Sequence, residues 1–508
     1  MNIMKINMNK FFITASLVSL LMTSCSDKDL NVLPRQSIDA STALSSPASV
    51  DAAVIGVYAT LKSRVLYGRD FVVYGDALAD NAVATGKSGR LAPEARNNVG
   101  AHYVNWGTAY STINDCNLVL DAIPRMTAAT QVQRDRWEGE MRFIRALIYH
   151  DLMRAYAYDP TAILDASNRG GVVLRSTAVD NKDTAAAFRP ARASIQECYN
   201  FIINDLTLSS AKLQPAGVAR TGAPHFATRA AAQALLARVQ LYNGNYAAAR
   251  DAASNALTGG IGSLTTASNH VAGWRASTNP ESIFEVRFSI AAESLGVNEA
   301  LQTTMTSMGT LGAPGSNGGW GDLVPNALQL NAVGLSGFPA SLSIANTIAL
   351  PTLTRTSDVR NQLYEWGGQR TNPRFIECTK YFGKSGFLNL DNVPVLRHAE
   401  MLLIRAEAHF RLGDVSSALA DINNLRGRRG LADVSLTGPA VLEEILNQRL
   451  AELAFEGHRF HDLKRLGRDI IKDPSVGFTV NFSDFRMLAR IPDGELVGNP
   501  NMRQNVGY

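Results

Sequence analysis

Cysteine is scarce in this chain: four among 508 residues, at 25, 116, 198 and 378. Cys25 belongs to an N-terminal motif. The other three are an odd and widely scattered set, with neither a disulfide framework nor zinc-ligand spacing. An excess of charge is lacking too. The formal net charge is +4, or about +2 once Lys5 and Lys10 leave with the N-terminal leader, too weak and too evenly spread for a nucleic-acid surface. Long apolar runs are absent beyond residue 25. Arg, Asp or Asn interrupts each one, whereas a membrane span needs ~20 apolar residues. Neither a GxSxG elbow nor an HExxH helix occurs, which removes two common hydrolase signatures. What is plentiful is ordinary: 46% hydrophobic residues, sufficient for a large core.

The N-terminus carries the most informative run, FFITASLVSLLMTSC at 11–25. Two lysines, a dozen apolar residues and small residues before a cysteine read as a secretory leader. The cysteine at the processing site points to a bacterial lipoprotein. On this reading 1–24 is signal peptide, Cys25 is the lipidated first residue and 25–45 is a tether. The body is expected to be soluble, with one anchored end.

The body reads as mostly helical. Ser46-Pro47 is a cap followed by proline at the first helical position, with Val50, Val54, Val57 and Leu61 on one face of a helix over 47–66. A second helix is predicted over 103–123. A third runs from 132 to 156, burying Trp137, Met141, Ile144, Ile148 and Leu152. Two later segments share a tetratricopeptide spacing. Leu236, Ala237, Gly244, Tyr246, Ala249, Ala253 and Ala256 form one copy; Leu402, Ala406, Gly413, Ala418, Ile422 and Leu425 form the other. Small residues let paired helices approach and the glycine turns the chain between them. One helix pair cannot bury its own apolar face. The expectation is therefore a single right-handed array of helices at 47–66, 103–156, 226–258 and 396–430, in which the two separated copies pair in space. Residues 260–390 differ, with short strand-like runs such as SIFEVRF at 282–288 and glycines 309, 312, 315, 318, 319 and 321 crowding Trp320. A loop-rich surface on a rigid scaffold is where binding residues usually sit.

The segment RLAELAFEGHRFHDLKRLG (449–467) resembles the signature of the SusD/RagB family of outer-membrane lipoproteins from Bacteroidetes. Asp27, Leu30 and Pro34 after the cysteine, YGDALADN (74–81), NPESIFEV (279–286), VLRHAEMLLIRAEAHFRLGD (395–414) and IPDGELVGNPNMRQNVGY (491–508) are similar to family segments in the same order. Phe460-His461 stands where an aromatic pair, often with Trp, is common. The resemblance implies a mostly α SusD-like fold over 46–508, with a tetratricopeptide-like array (mainly 46–158, 226–258 and 395–470) and an irregular ligand-binding half (mainly 260–390). It implies a palmitate-bearing lipoprotein on the outer face of the outer membrane. There it would cap a SusC-like TonB-dependent transporter and deliver oligosaccharides, or in some members peptides, for nutrient uptake. It further implies no catalysis and no cofactor.

A sugar ring offers apolar faces edged by hydroxyls, so its site wants exposed Trp or Tyr with polar neighbours. Trp106 and Trp137 fall in predicted helices and are expected in the core. Trp274, Trp320, Tyr364 and Trp366 lie in the irregular half, and Asn317 and Asp322 flank Trp320; these six are the candidate ligand residues. Aromatics are only 7% of the chain and none occurs at 82–100, which keeps a peptide or small-glycan ligand open and a surface glycoside hydrolase as the competing enzyme reading. Gly86-Lys87-Ser88 resembles the end of a phosphate-binding loop, but Asn81 stands where that motif needs glycine. His458 and Asp462 are one turn apart without a third metal ligand. Arg449, Glu452, Glu456 and Arg459 lie at helical offsets and read as structural ion pairs.

Overall fold

A computed structural model describes residues 43–180, 187–214, 217–311, 316–368, 372–384 and 386–508. The leader, Cys25, most of the tether and glycines 312 and 315 lie outside these residues. The main helices are α1 (Pro47–Thr60), α2 (Asp70–Ala77), α3 (Trp106–Ala122), α4 (Gln131–Tyr156), α5 (Ile195–Lys212), α6 (Arg229–Tyr242), α7 (Tyr246–Leu257), α8 (Ala267–Arg275), α9 (His398–Arg411), α10 (Val415–Arg428), α11 (Pro439–Leu453), α12 (Arg459–Arg465) and α13 (Asp493–Gly498). No helix among the described residues is long and apolar enough to cross a membrane.

Helix α1 starts where expected. Ser46 and Ser49 form a reciprocal capping box and Pro47 opens the first turn. It stops at Thr60 rather than 66, because a π-turn over Arg64–Gly68 intervenes before α2. Val50, Val54, Val57 and Leu61 are all buried, as are the five stripe residues of α4. Each fully buried side chain of this kind contributes roughly 1.5–3 kcal/mol.

The two tetratricopeptide copies fold alike down to their turns. Gly244 and Gly413 both take positive φ (+75° and +85°), a region open to glycine at no steric penalty. Asn245 N–H reaches back to Gln240 O (3.0 Å) and Asp414 N–H to His409 O (2.9 Å), closing each first helix with the same C-terminal motif. The Asn245 and Asp414 side chains then cap α7 and α10. Helix α7 packs on α9, so the two hairpins adjoin in space although 260–397 separates them in sequence. The packing continues through α6–α5, α5–α4, α4–α3 and α3–α1, giving the tetratricopeptide-like array that the spacing predicts. Helix α5 is the member not predicted, although Ser194 and Glu197 form a capping box at its start.

The other half is irregular, with short antiparallel strand pairs. Strand β1 (Ala82–Ala84) pairs with β3 (Leu323–Pro325), β2 (Ser282–Val286) with β6 (Val393–Arg397), and β4 (Tyr364–Trp366) with β5 (Arg374–Cys378). Strand β6 runs directly into α9, which ties the irregular half to the helices. Cys116, Cys198 and Cys378 are buried free thiols.

That junction holds a buried ionic cluster. Arg397 contacts Glu452 (2.7 Å), Glu456 (2.6 Å) and Glu281 (3.1 Å). Arg429 bridges Glu281 and Glu452, each at 2.8 Å, and Lys380 meets Glu456 at 2.6 Å. Burial pushes the Glu281 carboxyl up, but Arg429 and Arg397 more than reverse it, leaving the group below its usual range. The α11–α12 motif is therefore structural, as its spacing suggested. Its partners come from β6, α10 and the 380 turn rather than from neighbouring turns of one helix. Arg449 is paired with Asp462 at 2.9 Å and Arg459 with Asp80 at 2.7 Å.

Candidate functional site

Three chain segments meet at Trp320: the loop after β1, the glycine-rich segment before β3, and the β4–β5 pair. The Trp320 and Gly321 amides both donate to Thr303 O (3.0 and 2.8 Å), and Gly318 N–H donates to Ser307 O (3.0 Å). Thr85 anchors the first loop by donating its hydroxyl to Gly321 O at 2.8 Å. Under this layer sits Glu377, whose carboxylate accepts from the Ser307 N–H (2.7 Å), the Ser307 hydroxyl (2.7 Å) and the Thr306 hydroxyl (2.9 Å). It also pairs with Lys87 at 3.2 Å. The glycines make this possible. Gly321 has φ +61°, and a Cβ there or at Gly367 would collide with the Glu377 carboxylate.

Asp322 is almost fully buried. It accepts from Ser88 Oγ (2.5 Å) and Arg90 Nε (3.0 Å), and Arg90 carries its guanidinium to 6.0 Å from the Trp320 ring centroid. Trp320 is half-buried and Asn317 is exposed. What reaches solvent is thus part of an indole backed by a cation, with the exposed Asn317 three positions earlier in the chain. A surface of that kind can stack on an apolar ring face and hydrogen-bond its edge.

The other candidates lie elsewhere. Trp274 is 2% exposed, beneath Lys380 Nζ (4.8 Å) and against Tyr381. Tyr364 is 1% exposed and its hydroxyl accepts from Gln329. Trp366 is 7% exposed and donates its indole N–H to Pro351 O. These three pack the irregular half and present no stacking face, which narrows the six candidates. Asp322 stays at the site, but as the group that positions Arg90 rather than a ligand contact. Arg90 and Glu377 were missed. Lys87 and Ser88, singled out for a phosphate-like motif, instead serve Glu377 and Asp322. His458 is buried and Asp462 is held by Arg449 and Arg465; among the described residues no group of three or more His, Cys, Asp or Glu could hold a metal ion.

Replacing Glu377 with glutamine puts an amide NH₂ where hydroxyl and amide donors converge. Hydrogen bonds to a charged group are worth about 1.5–3 kcal/mol each. The expected result is at least that loss in urea denaturation, together with altered Trp320 fluorescence. An unchanged midpoint would remove Glu377 as the organiser of this surface.

Comparison with known proteins covers nearly the whole chain. A family model described as the SusD family matches residues 368–508, and one described as starch-binding associating with the outer membrane matches residues 29–241. SusD-like protein P38 of Formosa agariphila is 24% identical, covering 97% of each chain. The starch-binding protein SusD of Bacteroides thetaiotaomicron is 32% identical over a shorter stretch, 23% of this chain and 22% of that one. Among solved structures, a SusD superfamily protein from Bacteroides thetaiotaomicron superposes with a TM-score of 0.76 at 23% identity, covering 91% of this chain and 99% of that one.

Proposed function

The chain belongs to the SusD family, and from that premise we propose that it is a carbohydrate-binding lipoprotein of the outer-membrane surface. In this reading Cys25 carries the lipid, and the protein hands oligosaccharides to a SusC-like TonB-dependent transporter without catalysing any reaction on them. Support for the cargo class comes from the model described as starch-binding over residues 29–241 and from the relative named a starch-binding protein. Support for the anchor comes from the leader run ending at Cys25.

The observation that carries the reading is Trp320, a half-buried indole whose backbone amide is held by Thr303 and whose ring is backed by Arg90. A pre-positioned ring spends little conformational entropy on capture, which is what a shallow sugar site needs. Calorimetry of the soluble chain from Ser26 onward, against panels of oligosaccharides and peptides, tests it. Saturable glycan binding is expected, weakened at least tenfold, or about 1.4 kcal/mol, by Trp320→Ala. Asn317→Ala should have a smaller effect. Peptide binding without glycan binding would replace the cargo assignment, and glycan affinity indifferent to Trp320→Ala would remove the site.

A further inference from the structure

A second recess lies on the helical side and shares no element with the Trp320 surface. It encloses about 490 Å³ between the start of α3, residues 173–175 and 188–190, and α13 with the chain that follows it. That volume falls in the range of small-molecule sites, roughly 300–1,000 Å³. Its walls are fixed by bonds across sequence. Tyr110 donates its hydroxyl to Val173 O (2.8 Å), and Asn499 donates its side-chain amide to Pro190 O (2.7 Å). Trp106 and Tyr110 stand 4.9 Å apart on one side. On the other, Phe188 is 39% exposed and Arg175 lies over its ring with the guanidinium carbon 4.7 Å from the centroid.

Arg175 is half-buried, and its Nη2 is enclosed without a hydrogen-bond partner. Arginines such as 145, 238, 397, 429 and 465 face carboxylates, whereas Arg175, which lines the recess, pairs with none among the described residues. Burial pulls its guanidinium below the usual range, and the neighbours that offset this are Tyr149 and Tyr110. A buried donor without an acceptor is costly, and the planar fork of a guanidinium matches a carboxylate. The acidic residue lining the recess, Glu495, is exposed.

We infer that this recess is a second ligand site, taking a uronate residue of an acidic glycan: carboxylate to Arg175 and ring face to the exposed Phe188, with Tyr110 and the buried Trp106 forming the floor behind it. A sugar acid joins an anion to an apolar ring face, the two features the recess offers side by side. Its lining comes from helices and turns, with no strand edge for pairing an extended peptide. The inference goes beyond the Trp320 reading and stands without it.

The test is a titration of the soluble chain with tri-galacturonic acid, maltotriose and triglycine, read by calorimetry and by the indole N–H signals of its five tryptophans. Tri-galacturonic acid is expected to bind saturably and to shift the Trp106 signal. Arg175→Gln should weaken it at least tenfold and Phe188→Ala several-fold, with the remaining indole signals unmoved as evidence of an intact fold. Arg175→Lys should retain part of the affinity. Trp320→Ala should leave this binding unchanged, which separates it from the first site. Failure of the uronate to bind, equal binding by Arg175→Gln, or an equal Trp106 shift with maltotriose or triglycine would each overturn the inference.

Discussion

Replacing Arg397 with methionine is expected to remove about 3–5 kcal/mol of stability, the range for breaking a buried ion pair from one side. Methionine fills much of the space but leaves Glu452, Glu456 and Glu281 sharing fewer cations. All three side chains lie in the interior, where an unpaired carboxylate is poorly solvated. Trp274 also loses a cation 5.7 Å from its ring. Glu452→Ala should be comparably severe, because it takes a shared carboxylate from Arg397 and Arg429 at once, leaving them only Glu281 and Glu456. An exposed pair sets the scale. Arg468 and Glu443 sit 2.5 Å apart with side chains 39% and 53% exposed, and Arg468→Met should change stability by less than about 1 kcal/mol. Urea denaturation of the three variants checks this. A loss at Arg397→Met no larger than at Arg468→Met would mean that the cluster does not hold β6 and α11 together.

The ionic cluster also shows what could be read from sequence and what could not. Glu452 and Arg449 sit at helical spacing beside apolar residues, so a structural role was legible, as were α1, α3, α4 and the two glycine-turned hairpins. Periodicity assigns a face to each residue of a helix. The irregular half has no period, and burial there depends on partners far along the chain. Trp274 and Trp320 look alike in sequence. One lies under Lys380, more than a hundred residues away; the other emerges beside Arg90, whose ion pair with Asp322 spans 232 positions. The loop at 82–100 contains no aromatic residue, and its contribution to the site is a cation, which composition did not reveal. Gly321 was visible within a glycine cluster, but its reason, a buried carboxylate at 377, was not.

Lowering the pH from 7 to 5 should destabilise the protein steeply, and the histidines are the reason. His102, His150, His458 and His461 are buried, and burial is the largest cause holding each imidazole below its ordinary 6.5, with His102 down to about 3. His461 packs against both Phe71 and Tyr103, which also touch each other, its Nε2 3.0 Å from the Tyr103 hydroxyl, and has no room for a proton's hydration. The unfolded chain protonates these rings near 6.5 while the native one does not. Below that pH the unfolded state therefore binds more protons, and stability falls as the pH drops. Each such group contributes about 1.4 kcal/mol per pH unit once well below 6.5, so four give roughly 5. Asp76 works the other way. Burial raises it to about 6, so it takes a proton in the fold first and offsets about one histidine. Asp151 and Asp391 are also raised by burial and act in the same direction as Asp76. The expected net fall between pH 6 and 5 is about 4 kcal/mol, a large share of the ~5–15 kcal/mol that holds a typical fold. Urea midpoints at pH 7, 6 and 5 measure it, and His461→Gln should flatten the slope by about one group's worth. Equal midpoints at pH 7 and 5 would mean that the buried rings accept protons without disturbing the packing around α12. A falling midpoint with an unchanged slope in His461→Gln would shift the effect to the other three histidines.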